Sequence, residues 1–254
     1  MFHLKTHSVC SYKEAIRPKM PSKALLLDVD GVILNQPRVL HKLGHKAVQF
    51  VQQHIPGKRN ILQAAEINTL LYSNFGHTHR GLREVYGKKA PDVATFNQFV
   101  YDKDLLSYLM IHDNDEILKT RGEQIKHLVE HAISLNIPCY LFSNAPDVWC
   151  NTILDMLSIS TLIPSHQRLT SSHPVFQDNL LKPDASLYKN VATFVEQTHR
   201  ENLQLVFVDD SLTNLIPILN SPGWKPVLLK ATDATIISDK VYHAQQIHEV
   251  TALL

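Results

Sequence analysis

Short apolar runs that end in polar residues alternate along this chain with segments of helical periodicity. The apolar runs, which we expect to be buried strands, cover residues 24–28, 138–142, 203–208 and 226–229. Apolar positions with helical spacing occupy residues 117–135, 148–157, 185–196 and 212–219. Because strands that alternate with helices form parallel sheets with right-handed crossovers, the pattern predicts a doubly wound α/β core with a parallel sheet.

One interval is too long for this alternation. The first two strands end near residues 28 and 143, whereas one unit of strand, helix and strand takes roughly 30 residues. The interval carries further helical patterns, at residues 41–54, 60–74, 78–86 and 92–101. We therefore predict an all-helical cap at residues 36–115, inserted into a core formed by residues 23–35 and 116–254. Residues 1–22 are an N-terminal extension, and the polar stretch 165–179 is expected to be loop.

The composition excludes several classes of protein. With 44% hydrophobic and 19% charged residues, the 254-residue chain can bury a core. Its net charge of +1 gives no basic excess for a nucleic-acid partner. No apolar run reaches the ~18 residues of a membrane span, so no membrane partner is expected. The three cysteines, Cys10, Cys139 and Cys150, are too few for a disulfide framework, which predicts free thiols and a cytoplasmic location. The oligomeric state is left open.

Polar side chains of complementary kinds follow the predicted strands. They are Asp28 and Asp30 after the first strand, Ser143 and Asn144 after the second, Asp209 and Asp210 after the third, and Lys182 before the helix at 185–196. Because ligands of open α/β sheets bind at the carboxyl ends of the strands, these side chains are expected to converge. Carboxylates and a backbone carbonyl are ligands that Mg²⁺ accepts, and a lysine with a hydroxyl group suits a phosphate dianion.

With these residues the sequence resembles the haloacid dehalogenase-like (HAD) hydrolase superfamily, from residue 23 to the end. Four motifs of that superfamily occur in order, namely Asp28-Val-Asp30-Gly31-Val32, Ser143, Lys182-Pro183, and Asp209-Asp210-Ser211 with Asn214. The resemblance implies a Rossmann-like core with a helical cap. It also implies Mg²⁺-dependent hydrolysis of a small phosphate monoester.

The same resemblance implies a role for each motif residue. Asp28 is expected to be the nucleophile that becomes an aspartyl-phosphate, and Asp30 the acid that protonates the leaving oxygen and then activates water. Asn214 is expected to orient Lys182. The groups expected to bind the phosphoryl oxygens are those of Ser143, Asn144 and Lys182. The expected ligands of Mg²⁺ are Asp28, Asp30 through its backbone carbonyl, Asp210 and Asp209.

Two further segments are similar to the pyrimidine 5'-nucleotidase branch of the superfamily. They are residues 72–82 of the predicted cap and the second motif, residues 141–145. This similarity implies that a nucleoside monophosphate is the substrate. It also implies a cap pocket that contacts the base or another polar leaving group, formed by Phe75, His77, Thr78 and Arg80. The alternative interpretation is structural: Phe75 packs the cap and Gly76 ends a helix.

Other functions remain compatible with these motifs. Sugar phosphomutases and sugar phosphatases of the same superfamily share the first motif and the position of the cap. A catalytically idle scaffold that acts as a binding module is also possible, although it would not require the complete set of motif residues. Dehalogenases of the superfamily lack the second aspartate of the first motif, so Asp30 and the pair Asp209 and Asp210 argue against that reaction.

Overall fold

The computed structural model describes residues 22–57, 60–111, 115–230 and 240–254. Cys10 and residues 1–21 of the expected N-terminal extension lie outside these ranges. The strands are β1 (Lys23–Leu27), β2 (Cys139–Phe142), β3 (Arg168–Leu169), β4 (Gln204–Asp209), β5 (Trp224–Leu229) and β6 (Tyr242–Ala244). They pair in parallel within one sheet, in the spatial order β3-β2-β1-β4-β5-β6. This is the predicted α/β core.

The α-helices of the described residues form two groups. Those between β1 and β2 that build the cap are α1 (Pro37–His54), α2 (Ile61–Phe75), α3 (Thr78–Tyr86), α4 (Val93–Val100) and α5 (Lys103–Ile111). Those of the core are α6 (Glu116–Ser134), α7 (Asp147–Met156), α8 (Ala185–His199) and α9 (Leu212–Leu215). Short 3₁₀ helices occupy Gly87–Lys89, Ser165–Gln167, Pro174–Asn179, Ile216–Ile218 and Ile247–Leu253. Within the described ranges, no helix has the length and hydropathy needed to cross a bilayer.

Both faces of the sheet are buried. Along β1, Leu25 and Leu27 belong to one apolar cluster, whereas Ala24 and Leu26 belong to another. The first cluster continues into α6, α7 and the cap helices, and the second continues into α8. Because such strands are apolar on both sides, they occur in the sequence as continuous apolar runs, which explains why the four main strands are predictable.

The structure differs from the sequence-based expectation at short elements. β3 has two residues within the polar segment 165–179, and two of the three residues of β6 are exposed, so neither forms an apolar run. The short helix α5 is likewise not predicted. Helix α1 begins at Pro37, earlier than the expected residue 41, because Gln36 Oε1 accepts hydrogen bonds from the first turn and proline suits that turn.

Two segments connect the cap to the core, and a hydrogen bond joins them. Gln36 precedes α1 and Asp115 precedes α6, and Gln36 Nε2 donates to Asp115 Oδ2 at 3.0 Å. Each of these side chains also caps the helix that follows it. The chain therefore leaves and re-enters the core at adjacent points, which are the two ends of the segment 36–115.

The cap also contacts the core through α3. Asp184, which precedes α8, accepts hydrogen bonds from Arg80 Nε at 2.7 Å and from Arg83 Nη2 at 3.0 Å. Beside this cluster, Gly76 ends α2 with a φ of 74°, and a Cβ atom there would lie 3.0 Å from Pro183 Cδ. Glycine at this position therefore permits both the left-handed turn and the close approach of the cap to the core.

We predict that Asp184→Ala lowers the free energy of unfolding by about 2 kcal/mol, because it removes the shared carboxylate acceptor of two partly buried guanidinium groups. The change also removes the acceptor of the Leu181 backbone N–H. Urea unfolding followed by circular dichroism measures the difference. Glu130→Ala on the exposed side of α6 is the control and should change stability by less than about 0.5 kcal/mol. Equal stability of the two variants would show that this ion-pair cluster does not stabilise the fold.

Candidate active site

A buried lysine joins the carboxyl ends of three strands. Lys182 Nζ lies 2.9 Å from Asp28 Oδ1 and 2.8 Å from Asp209 Oδ2, and it donates to the carbonyl of Phe142 at 3.1 Å. These partners follow or end β1, β4 and β2, which are neighbours in the sheet. The structure thus brings the first, third and fourth sequence motifs into direct contact.

The ammonium group of Lys182 is kept charged by its partners. Burial alone would lower the pKa of Lys182, but the charges of Asp209 and Asp28 outweigh it, so that the pKa is raised above its ordinary value. The rings of Phe142 and Phe207 lie beneath the ammonium, with centroids 5.3 Å and 5.1 Å from Nζ. A permanent positive charge is therefore held at the edge of the sheet.

Three carboxylates cluster at the same edge. One ligand oxygen from each of Asp28, Asp209 and Asp210 lies within 4.8 Å of the others. Burial raises the pKa of Asp28 well above its ordinary value, although Lys182 partly offsets this effect. Burial, followed by the charge of Asp209, raises the pKa of Asp210 to about 7. A cluster of this kind is stabilised by a hard cation, and its oxygen donors fit Mg²⁺.

The glycine after the first motif lets two loops meet at this cluster. Gly31 has a φ of 91°, and a Cβ atom at this position would overlap the carboxylate of Asp210. Its backbone N–H donates to the carbonyl of Leu34 at 2.9 Å, which closes a tight turn after Asp30. The turn brings the backbone of the first motif against the acidic pair of the fourth.

Asp30 accepts a hydrogen bond from an aromatic side chain. Trp149 Nε1 on α7 donates to Asp30 Oδ1 at 2.9 Å. Burial raises the pKa of Asp30 to about 6, and the hydrogen bond from Trp149 opposes this change. A carboxyl group with such a pKa can both give and take a proton near neutral pH. Trp149 is not among the residues predicted from the sequence, because nothing in its local pattern distinguishes it from a core tryptophan.

The two asparagines of the motifs support other site residues. Asn144 Oδ1 accepts from the backbone N–H of Lys182 at 2.8 Å, and Asn144 Nδ2 donates to the carbonyl of Lys182 at 3.0 Å. Asn214 Nδ2 donates to both carboxylate oxygens of Asp209 at 3.1 Å. The expected link between Asn214 and Lys182 therefore runs through Asp209. Ser143 is buried beside Asn144, where its Oγ accepts from the N–H of Ala145 at 3.2 Å.

A cavity of about 390 Å³ separates this edge of the sheet from the cap. Of the expected cap residues, His77 and Thr78 line it. Phe75 and Arg80 do not belong to its lining: Phe75 packs on the apolar core, and Arg80 binds Asp184 and the carbonyl of Phe75. The sequence does not single out the other cap residues of the lining, because helical apolar positions do not reveal whether they face a cavity or a core.

The side chain of His77, which lines the cavity, is uncharged. Burial lowers the pKa of His77 to about 3, with a further contribution from the charge of His79. Its ring packs against Phe96, with centroids 5.4 Å apart, and its Nδ1 is buried without a hydrogen-bond partner among the described residues. The cap side of the wall at His77 is thus aromatic and neutral.

Several solved structures resemble this chain over most of its length. A dehalogenase solved with an intermediate complex is 16% identical with a TM-score of 0.55, and the match covers 92% of this chain and 97% of that one. A Bacillus subtilis protein assigned as a HAD hydrolase and bound to magnesium is 13% identical, with a TM-score of 0.51 and coverage of 92% and 99%. The chain has the haloacid dehalogenase-like fold. The sequence matches no protein-family model and no curated protein.

Proteins with the haloacid dehalogenase-like fold differ in the reactions they are named for. A Thermotoga maritima protein assigned as a β-phosphoglucomutase is 14% identical to this chain, with a TM-score of 0.52 and coverage of 91% and 97%. Dehalogenase and mutase thus resemble the chain to nearly the same degree. The fold alone does not select a reaction; the side chains of the site do.

We predict opposite stability effects for alanine at two glycines. Gly31→Ala should lower the free energy of unfolding by about 2 to 4 kcal/mol, because of its positive φ and the overlap with Asp210. Gly44→Ala, in the middle of α1, meets no atom within 4 Å and should raise stability by about 0.5 to 1 kcal/mol. Urea unfolding of both variants provides the comparison. Two effects of the same sign would contradict the constrained turn at Gly31.

Proposed function

We propose that this protein is a Mg²⁺-dependent phosphatase that hydrolyses a small phosphate monoester through an aspartyl-phosphate on Asp28. The observation that carries the proposal is the placement of two aspartates of the first motif in different environments. Asp28 contacts Lys182 and belongs to the acidic cluster, whereas Asp30 accepts a hydrogen bond from Trp149. This division suits one carboxylate that attacks phosphorus and one carboxyl group that transfers protons.

The residues of the acidic cluster are suited to hold Mg²⁺. Asp28, Asp210 and the backbone carbonyl of Asp30 would be its ligands, with Asp209 beside them. When bound, Mg²⁺ supplies positive charge that stabilises the phosphoryl oxygens in the transition state. Asp209 is engaged by Lys182 and Asn214, which favours a supporting position for it.

A side chain of the site can carry out each bond change and proton transfer of the proposed reaction. A carboxylate oxygen of Asp28 attacks phosphorus, the bond to the leaving oxygen breaks, and Asp30 gives that oxygen its proton. Lys182 and Ser143 bind the phosphoryl oxygens. In the second step Asp30 takes a proton from water, water attacks the phosphorus of the aspartyl-phosphate, and the bond to Asp28 breaks. Inorganic phosphate leaves, and both aspartates return to their starting states.

The cavity favours a phosphatase over the phosphomutase alternative. A mutase that returns the phosphoryl group to another hydroxyl of a sugar phosphate must hold two phosphates at once. Among the described residues that line the cavity, Lys182 is the only lysine or arginine, and it belongs to the phosphoryl end. A second phosphate would therefore lack a counter-charge at the cap. Asp30 and the acidic cluster likewise favour phosphate chemistry over dehalogenation, and the complete motif set argues against an idle scaffold.

A nucleoside monophosphate is the first substrate that we propose. The cavity volume of about 390 Å³ lies in the range of small-molecule sites. Aromatic side chains suited to a planar base, including Tyr72, Phe96 and Tyr101, occur in its lining. The sequence similarity of residues 72–82 to nucleotidases supports the same class.

We predict phosphate release from nucleoside monophosphates that requires Mg²⁺ and stops with EDTA. Asp28→Asn should reduce kcat by about 1,000-fold or more, because the amide is a poor nucleophile. The matched control is Asp178→Asn, an exposed aspartate of the core, which should retain activity. Sugar phosphates and p-nitrophenyl phosphate complete the panel. Full release by Asp28→Asn, or no release from any compound by the unmodified protein, would refute the proposal.

Trp149→Phe tests the orientation of Asp30. Loss of the indole N–H should reduce kcat about tenfold with little change in KM, because the proton-transfer group is misplaced while substrate contacts remain. Steady-state kinetics on p-nitrophenyl phosphate measures both constants. The matched control is Trp224→Phe, since this second tryptophan lies on β5 and packs against Tyr188 with centroids 5.6 Å apart. An equal loss in both variants would indicate a general effect on packing instead.

A further inference from the structure

One face of α1 forms an apolar wall of the cavity. Leu40, Leu43, Gly44 and Ala47 all line it, and their spacing of three and four residues places them on one side of the helix. From α4, Phe96 and Val100 line the cavity with the same spacing. The cap therefore presents to the cavity a surface that an apolar or aromatic group can cover.

A single amide provides polar recognition on α2. Asn68 lines the cavity, and its Oδ1 accepts a hydrogen bond from Thr78 Oγ1 at 2.7 Å. The contact with Thr78 fixes one end of the amide. The other end, Nδ2, has no hydrogen-bond partner among the residues that the structure describes, so it can bind a ligand atom.

The charges of the cavity are confined to the edge of the sheet. Asp28, Asp30, Asp210 and Lys182 are its acidic and lysine lining residues within the described parts of the chain. The ammonium of Lys182 already contacts two carboxylates. A second anionic group on the substrate would lie in the neutral, partly apolar half of the cavity, where desolvation is not compensated.

Gly44 adds space to this wall. It lies in the interior of α1, where glycine is a poor helix former, and a Cβ atom on it would meet nothing within 4 Å. Close helix packing therefore does not explain the glycine. Gly44 is exposed and lines the cavity, so its missing side chain leaves open space at this part of the lining.

We propose that this cavity selects phosphate monoesters whose leaving group is uncharged, has an apolar or aromatic face against α1 and α4, and presents one hydrogen-bonding group to Asn68. Gly44 limits the size of the leaving group, and the lack of a cation on the cap side excludes carboxylated and bisphosphorylated substrates. This selectivity rests on the proposed phosphatase function and specifies the substrate class of the same site.

A pair of synthetic esters tests whether the cavity excludes a charged leaving group. The value of kcat/KM for phenyl phosphate should exceed that for 4-carboxyphenyl phosphate by about 100-fold, because the carboxylate is desolvated without a partner. Leu43→Lys supplies a cation and should reduce this ratio by about tenfold or more. Leu43→Met is the uncharged control and should preserve the ratio. Equal use of the two esters by the unmodified protein, or equal ratios in the two variants, would overturn the proposal.

A variant of Gly44 tests whether this residue limits the size of the leaving group. Gly44→Leu should reduce kcat/KM for phenyl phosphate about tenfold more than for methyl phosphate, because the added side chain occupies the space of the larger group. Equal losses on both esters would contradict the role of Gly44.

Binding without turnover separates this proposal from the phosphatase function. Asp28→Asn should bind phenyl phosphate more tightly than 4-carboxyphenyl phosphate in titration calorimetry with Mg²⁺. If the unmodified protein hydrolyses both esters equally and the variant binds them equally, the selectivity fails while the phosphatase stands. If no ester is hydrolysed, the phosphatase function fails, and the substrate class with it.

Discussion

The buried positive charge of Lys182 is the constraint on which the active site depends. An ammonium group in the interior is tolerated only if opposite charges and hydrogen bonds replace water, and Asp28, Asp209 and the carbonyl of Phe142 do so here. The backbone of Lys182 is fixed in turn by Asn144. Strand ends that are far apart in sequence are therefore held in one geometry by the need to compensate a single charge.

The acidic cluster follows from the same constraint. Its three carboxylates outnumber the single positive charge near them, that of Lys182. Burial raises the pKa values of Asp28 and Asp210. An additional cation at this position would relieve the repulsion and restore ionised carboxylates. Positive charge at this position would therefore both stabilise the carboxylates and serve the proposed reaction, because the phosphoryl group is also negatively charged.

The cap and the core contribute different physical properties to the cavity. The core supplies the charged groups at the sheet edge, whereas the cap supplies neutral, aromatic and apolar surface. Asp184 and Gly76 hold the cap close to the core, so that a substrate bound between them would displace water from the charged edge of the sheet. Exclusion of water strengthens the electrostatic interactions at the charged end and makes the neutral end sensitive to charge on the leaving group.

The sequence by itself determined the four main strands, the helical insertion and the residues at the sheet edge. These features are local, because a strand buried on both faces is a continuous apolar run and a parallel sheet gathers its strand ends at one edge. The tertiary structure alone decided that Trp149 binds Asp30, that Arg80 faces Asp184 and not the cavity, and that α1 and α4 form its apolar wall. Each of these depends on the packing of segments distant in sequence, and the helical periodicity of a residue is the same whether it faces a core, a cavity or another domain.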